Sequence, residues 1–185
     1  MPCTIKQPLV WIDCEMTGLE ISHDHIIEIA TIITDSELEV IAEGPEIAVH
    51  WPKELLDGMD EWNTKHHTGS GLVRRVLASQ IDIAEADRLT YEFIAEHCAP
   101  ESAPLCGNSV WQDRRFIDME MPRTSKHLHY RLVDVSSIKE LARRWYPKLE
   151  PYRKQGNHRA LDDIRESIAE LRYYREKLFR IPGEG

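Results

Sequence analysis

No apolar run in this sequence approaches the length of a membrane span, and the opening Met-Pro-Cys-Thr-Ile-Lys has no signal-peptide core. A cytoplasmic protein with no membrane partner is the expectation. Only four cysteines are present, Cys3, Cys14, Cys98 and Cys106, and none forms a C-x-x-C pair. Cys14 and Cys106 fall in apolar stretches that read as buried strands, so reduced packing thiols are expected rather than disulfides or a zinc site. Repeats and low-complexity linkers are missing too. One domain over residues 1–185 is therefore expected, with 42% hydrophobic residues to build a substantial core. Nor is there an excess of positive charge. The net charge of −9 argues against indiscriminate binding to long nucleic acid. The charge is unevenly divided, however: residues 1–110 carry 6 Lys and Arg against 20 Asp and Glu, and residues 111–185 carry 17 against 12. A basic C-terminal portion fits either a local phosphate-binding surface or the solvated faces of helices.

What is present centres on Leu9-Val10-Trp11-Ile12-Asp13-Cys14-Glu15, an apolar run ended by Thr17-Gly18. It reads as a buried strand with two carboxylates near its end. Strand side chains alternate, so Asp13 and Glu15 project from one face about 7 Å apart. Two ionised carboxylates so placed repel each other and lose hydration unless a cation lies between them. For this pair alone, a turn cap and a solvated acid serve as well.

Residues 26–34 are β-branched and apolar, hence a second strand. After the Asp35-Ser36 turn a third is expected at 38–42, broken by Gly44-Pro45 and open to resumption at 46–50. Short connections imply an antiparallel meander. The segment Ser22-His23-Asp24-His25 contains metal-ligand types, but four polar residues in a turn read first as exposed. From Glu54 to about Cys98 apolar residues recur at helical steps. Residues 104–108 read as a short buried strand, 111–121 as a helix ended by Pro122, and 130–135 as another strand. Ser137-x-x-Glu140 is a capping box opening a helix that ends near Trp145. The last helix is expected from about Arg159 to Phe179, with Leu161, Ile164, Ile168 and Leu171 on its buried stripe. The order β-β-β-α-β-α-β-α describes a mixed sheet with helices packed on it.

Further acids fall near strand ends. Asp113 opens a helix just after the 104–108 strand, where open α/β sheets place ligand sites; alone, it is equally an acid favoured in a first helical turn. Asp162 and Asp163 open the last helix with the same alternative. His158 precedes Asp163 by five positions, and Asn157 reads as that helix's N-cap.

Asp13-x-Glu15, then Asp113, then His158 and Asp163 resemble the three-motif signature of DEDDh 3′–5′ exonucleases, a branch of the ribonuclease H-like fold. The segments 13–19, 107–109, 112–116, 134–136 and 158–166 are similar to those of oligoribonucleases in particular, and the likeness runs through the whole chain. The resemblance implies an α/β ribonuclease H-like fold with a mixed five-stranded sheet. It implies a 3′–5′ exoribonuclease that hydrolyses very short oligoribonucleotides, dinucleotides especially, to 5′-mononucleotides. Two divalent cations, Mg²⁺ or Mn²⁺, would lie about 3.5–4 Å apart, one activating water and one stabilising the leaving 3′ oxygen. Asp13, Glu15, Asp113 and Asp163 would hold them, with Asp13 bridging, and His158 would be the general base. Leu19 and Trp62 would grip the terminal bases. Ser109, Ser136, Lys139 and His67 would cap a 5′ phosphate, and Tyr130 and Arg131 would act in trans across a homodimer. Taken singly, Trp62 also fits a half-buried packing residue, and Ser136 and Ser137 fit helix caps. Trp111, beside Gln112-Asp113, finds no role in this pattern.

Two other readings stay open. One is a proofreading-type or RNA-trimming DEDDh exonuclease acting on longer strands, for which this acidic chain offers no basic track. The other, from a different class, is an inert nucleic-acid-binding module or a structural metal protein. The intact acid set weighs against it.

Overall fold

In the computed structural model, which describes residues 6–153 and 160–179, the run from Leu9 forms strand β1 (Leu9–Met16) and the β-branched run after it forms β2 (Ile26–Thr34). They pair antiparallel, with Leu9 opposite Thr34 and Glu15 opposite Glu28. All nine residues of β2 are buried, as a strand covered on both faces requires. Strands β3 (Val40–Glu43) and β4 (Ile47–Ala48) both pair with β2 antiparallel. On the other side of β1, β5 (Pro104–Gly107) pairs with it in parallel, and β6 (His129–Asp134) pairs in parallel with β5. The order is β3-β2-β1-β5-β6. The sheet is mixed as expected, but among the described residues it has six strands rather than five. The sixth is β4: Gly44 bonds the Thr31 carbonyl at 2.8 Å, and the chain then returns to β2.

The helical stretch from Glu54 to Cys98 divides into α1 (Lys53–Leu56), α2 (Glu61–Gly69), α3 (Leu72–Ala78) and α4 (Ile83–His97). Gly71, at φ 80°, makes the left-handed break between α2 and α3. After β5 come α5 (Trp111–Glu120) and α6 (Pro122–His127). Pro122 therefore starts a helix as well as ending one. At the first helical position its missing N–H is no loss, and buried Asp87 of α4 accepts the next two N–H groups, of Arg123 and Thr124. Helix α7 (Val135–Trp145) follows β6 directly, capped by Asp134 rather than by a Ser137 box, with the Ser136 N–H on Asp134 at 2.9 Å. The last helix, α8, spans Ala160–Leu178.

Alternation along β1 sorts its side chains between two layers. Val10, Ile12, Cys14 and Met16 pack with Ile94 of α4 and Phe116 and Ile117 of α5. Trp11 faces the other way, among Val135 and Ala142 of α7 and Ile164, Ile168 and Leu171 of α8. Each fully buried isoleucine contributes about 1.5–3 kcal/mol relative to exposure. Asp13 and Glu15 share the parity of Trp11, so they point toward the layer that contains α8. Cys14, Cys98 and Cys106 are buried and form no disulfide among the described residues, in keeping with a packing role. No described helix is long and apolar enough to cross a membrane.

Candidate active site

Where β1 leaves the core, Asp13 and Glu15 meet Asp163 from the first turn of α8. Each of the three can bring a carboxylate oxygen within 4.8 Å of the other two. The neighbouring acid Asp162 turns away to Arg165 at 3.1 Å. Asp113, in the first turn of α5, is buried and its Oδ1 accepts the Cys14 N–H at 3.0 Å. It stands outside the close trio, yet near enough for its charge to act on Glu15. His158 and Asn157 lie outside the described residues.

Burial pushes the Glu15 carboxyl up to about 7, reinforced by the negative charges of Glu28, Asp163 and Asp113 and partly offset by Arg75. Asp113 is also raised to about 7, chiefly by burial, with the Cys14 N–H opposing and Asp134 adding to the rise. Acids so crowded and poorly hydrated are ones whose charged forms a divalent cation would favour. The Cys14 thiol, buried beside them, is raised well above its ordinary value by burial and by the carboxylates, which makes it a packing group rather than a nucleophile. Across the strand pair, buried Glu28 is ion-paired with Arg75, which also holds Glu46 at 3.0 Å.

The side chains expected to contact substrate divide into three groups. Leu19 and Trp62 are 61% and 68% exposed, so Trp62 is not a packing residue; it stacks on His66 with ring centroids 4.9 Å apart. The loop carrying Leu19 is fastened by Asp24, which accepts the Thr17 hydroxyl at 2.9 Å and the Glu20 N–H at 2.8 Å. A Cβ on Gly18 would collide with that carboxylate. The polar turn expected to be simply exposed is thus half-buried at Asp24 and His25, and His25 meets Glu120 at 2.5 Å.

Ser109, Ser136 and Lys139 gather in a second group. Asp134 Oδ1 accepts the N–H groups of Ser109 and Ser136, each at 2.9 Å, and the two hydroxyls lie 3.2 Å apart. Ser109 sits at φ 53°, in the left-handed region that a serine rarely adopts. The Ser136 hydroxyl donates to Asn108 at 3.0 Å, Asn108 donates to Glu170 at 3.2 Å, and Lys139 pairs with the same buried Glu170 at 3.1 Å. His67 is elsewhere: it is buried, its Nε2–H donates to the Met16 carbonyl at 3.0 Å, and its Nδ1 faces Glu15. In the third group, Tyr130 is 73% exposed on the edge strand β6, with the Arg131 guanidinium 5.3 Å from its ring centroid. Asn108, Asp134, Glu170 and Asp24 support these groups, and they, like Arg75 beside Glu28, carry no role assigned from sequence. Asp24 lay in a visible polar turn, whereas Glu170 and Arg75 carry no local signal.

An exonuclease family model matches residues 10–171. The chain is 55% identical over 174 residues to an oligoribonuclease of Shewanella loihica, covering 94% of this chain and 96% of that one. It is 58% identical over 172 residues to an oligoribonuclease of Alcanivorax borkumensis, covering 92% and 95%. Among solved structures, exonuclease I of Methylocaldum szegediense gives a TM-score of 0.69 at 19% identity over 94% of this chain. E. coli exonuclease I in complex with a dT13 oligonucleotide gives 0.68 at 16% identity over 92%. This chain spans 41% of each of those two proteins, so they speak to the fold: α/β, with the mixed sheet of the ribonuclease H-like exonucleases.

Proposed function

The chain belongs to the oligoribonuclease family of exonucleases, and from that premise we propose that residues 1–185 form a single-domain 3′–5′ exoribonuclease that hydrolyses very short RNA, dinucleotides especially, to 5′-mononucleotides. The observation that carries this reading is the convergence of Asp13, Glu15 and Asp163 at one end of β1, with Asp113 tied to the same strand.

The raised carboxyls of Glu15 and Asp113 and the short spacing of the trio fit hard, oxygen-seeking divalent cations, Mg²⁺ or Mn²⁺, two per site. Bound there, such ions acidify water and neutralise the charge that develops on the phosphoryl group. Asp13, Glu15, Asp113 and Asp163 would hold them. The chain's own part is positioning. The Cys14 N–H keeps Asp113 in place, and His158 takes the proton of the attacking water. The exposed Leu19 and Trp62 offer base-stacking surfaces that tolerate any base. Ser109, Ser136 and Lys139, assembled around Asp134 and Glu170, offer donors to a 5′ phosphate. His67 lies by Glu15 and against the His66 ring, apart from the serines and Lys139. The exposure of Tyr130 and Arg131 on an edge strand supports their action in trans in a homodimer.

The test is product analysis on labelled RNAs of two, five and twenty nucleotides with Mg²⁺ or Mn²⁺. The reading expects kcat/KM to be highest for the dinucleotide. Equal or faster cleavage of the longest strand would move the protein to the trimming branch, and no cleavage of any would leave the inert module.

A further inference from the structure

A second cluster shares Glu15 with the acids and adds two histidines that hold no cation in the chemistry above. Glu15, His66 and His67 can each bring one donor atom within 4.8 Å of the other two. His67 is 1% exposed, and its Nε2–H is committed to the Met16 carbonyl, which fixes the ring and leaves Nδ1 as a lone pair. That Nδ1 is buried, has no hydrogen-bond partner among the described residues and faces Glu15 Oε2 across 3.9 Å. The gap is too long for a hydrogen bond, yet an ion at about 2.0–2.2 Å from each atom fits within it. An imidazole oriented by donating its other N–H to a backbone carbonyl is the arrangement proteins use to present histidine to metals.

We infer that Glu15, His66 and His67 form a site for a borderline transition ion of the Zn²⁺ class. Two imidazoles and a carboxylate suit Zn²⁺ or Co²⁺, whereas Mg²⁺ takes oxygen ligands. Glu15 belongs to both donor sets, so an ion held with the histidines draws that carboxylate away from Asp13 and Asp163 and inhibits the enzyme. His66 also lies flat against Trp62, so the same ion steadies the ring beneath the exposed indole. Binding at this site stands by itself; only the inhibition rests on the proposed function.

The experiment measures Zn²⁺ binding by calorimetry, in excess Mg²⁺, to Asp13→Asn protein, which lacks one acid of the neighbouring trio but keeps all three proposed donors. Zn²⁺ should bind, and adding His66→Gln should weaken it at least about tenfold, the lower range for loss of even an outer partner of a metal site. Zn²⁺ affinity that ignores His66 overturns the site. In Mg²⁺-loaded protein with Asp13 intact, half-inhibition should require at least about tenfold more Zn²⁺ once His66 is Gln; unchanged Zn²⁺ sensitivity overturns the inhibitory role. Histidine-dependent binding in a protein that never hydrolyses RNA would defeat the proposed function and leave the metal site standing.

Discussion

Asp113 Oδ1 accepts the N–H of Cys14, so the acid of the second motif is anchored to the residue between the two acids of the first. The bond links the start of α5 to the end of β1. It also gives the Asp113 side chain a structural duty separable from its charge.

That duty predicts different fates for two substitutions. Asp113→Asn keeps an oxygen for the Cys14 N–H and should lose hydrolysis without losing stability. Asp113→Ala should lose hydrolysis and also about 1–3 kcal/mol, the cost of a buried donor left unpaired. Urea unfolding checks this; equal stability of the two variants would show that the bond contributes nothing.

A second expectation concerns pH in the presence of chelator. Glu15 and Asp113 are raised to about 7 from ordinary values of 4.5 and 3.8. An acid whose folded pKa is raised binds its proton more tightly when folded, so its stabilising share is complete below the ordinary value and lost as pH rises through about 7. Stability should therefore fall across that window less steeply in Glu15→Gln than in the unmodified protein. For Glu15 the difference is at most roughly 3.5 kcal/mol, at about 1.4 kcal/mol per pKa unit. Parallel melting curves in chelator would contradict it, and Mg²⁺ should restore the loss near neutral pH.

Lys139 has a structural partner in Glu170, at 3.1 Å. Lys139→Met should cost about 1–2 kcal/mol, less than a fully buried pair because Lys139 reaches solvent. Adding Glu170→Gln should recover most of that stability but none of the affinity for a 5′-phosphorylated dinucleotide. Recovery of both would place Lys139 outside the binding surface.

Gly18→Ala drives a methyl into the Asp24 carboxylate that fastens the Leu19 loop. A loss of about 1–3 kcal/mol, as for other overpacked sites, is expected together with a raised KM. An unaltered KM would detach the loop from substrate.

Sharing of sites across a dimer predicts complementation. Tyr130→Ala and Asp13→Asn chains, each inactive alone, should on mixing regain about a quarter of full activity, the statistical share for a twofold dimer. Heterodimers that form without activity would assign Tyr130 to its own chain.

The acids on β1 were legible because the signal is local: an apolar strand with carboxylates two positions apart, whose parity with Trp11 points them at the α7–α8 layer. The start of α6 was not, because a proline reads as both terminator and initiator, and the choice rests with Asp87 in another helix. The cap of α7 passed to Asp134 because β6 runs into the helix without a turn, so the box at Ser137 already lies inside it. The buried charges Glu28 and Glu170 were invisible for a related reason: their partners, Arg75 and Lys139, are near only in the folded chain. For His67 the family resemblance implies a phosphate contact, and α2 brings it to the end of β1, against Glu15.

The position of β1 between β2 and β5 has a bearing on how the protein is made. Its antiparallel partner follows it directly in sequence, whereas its parallel partner comes only after four helices, and α8 with Asp163 comes later still. Synthesis runs from the N-terminus, so the β1–β2 hairpin can form early while the acids stay apart. A nascent chain still tethered to its message therefore cannot close the trio of Asp13, Glu15 and Asp163 until α8 has left the ribosome.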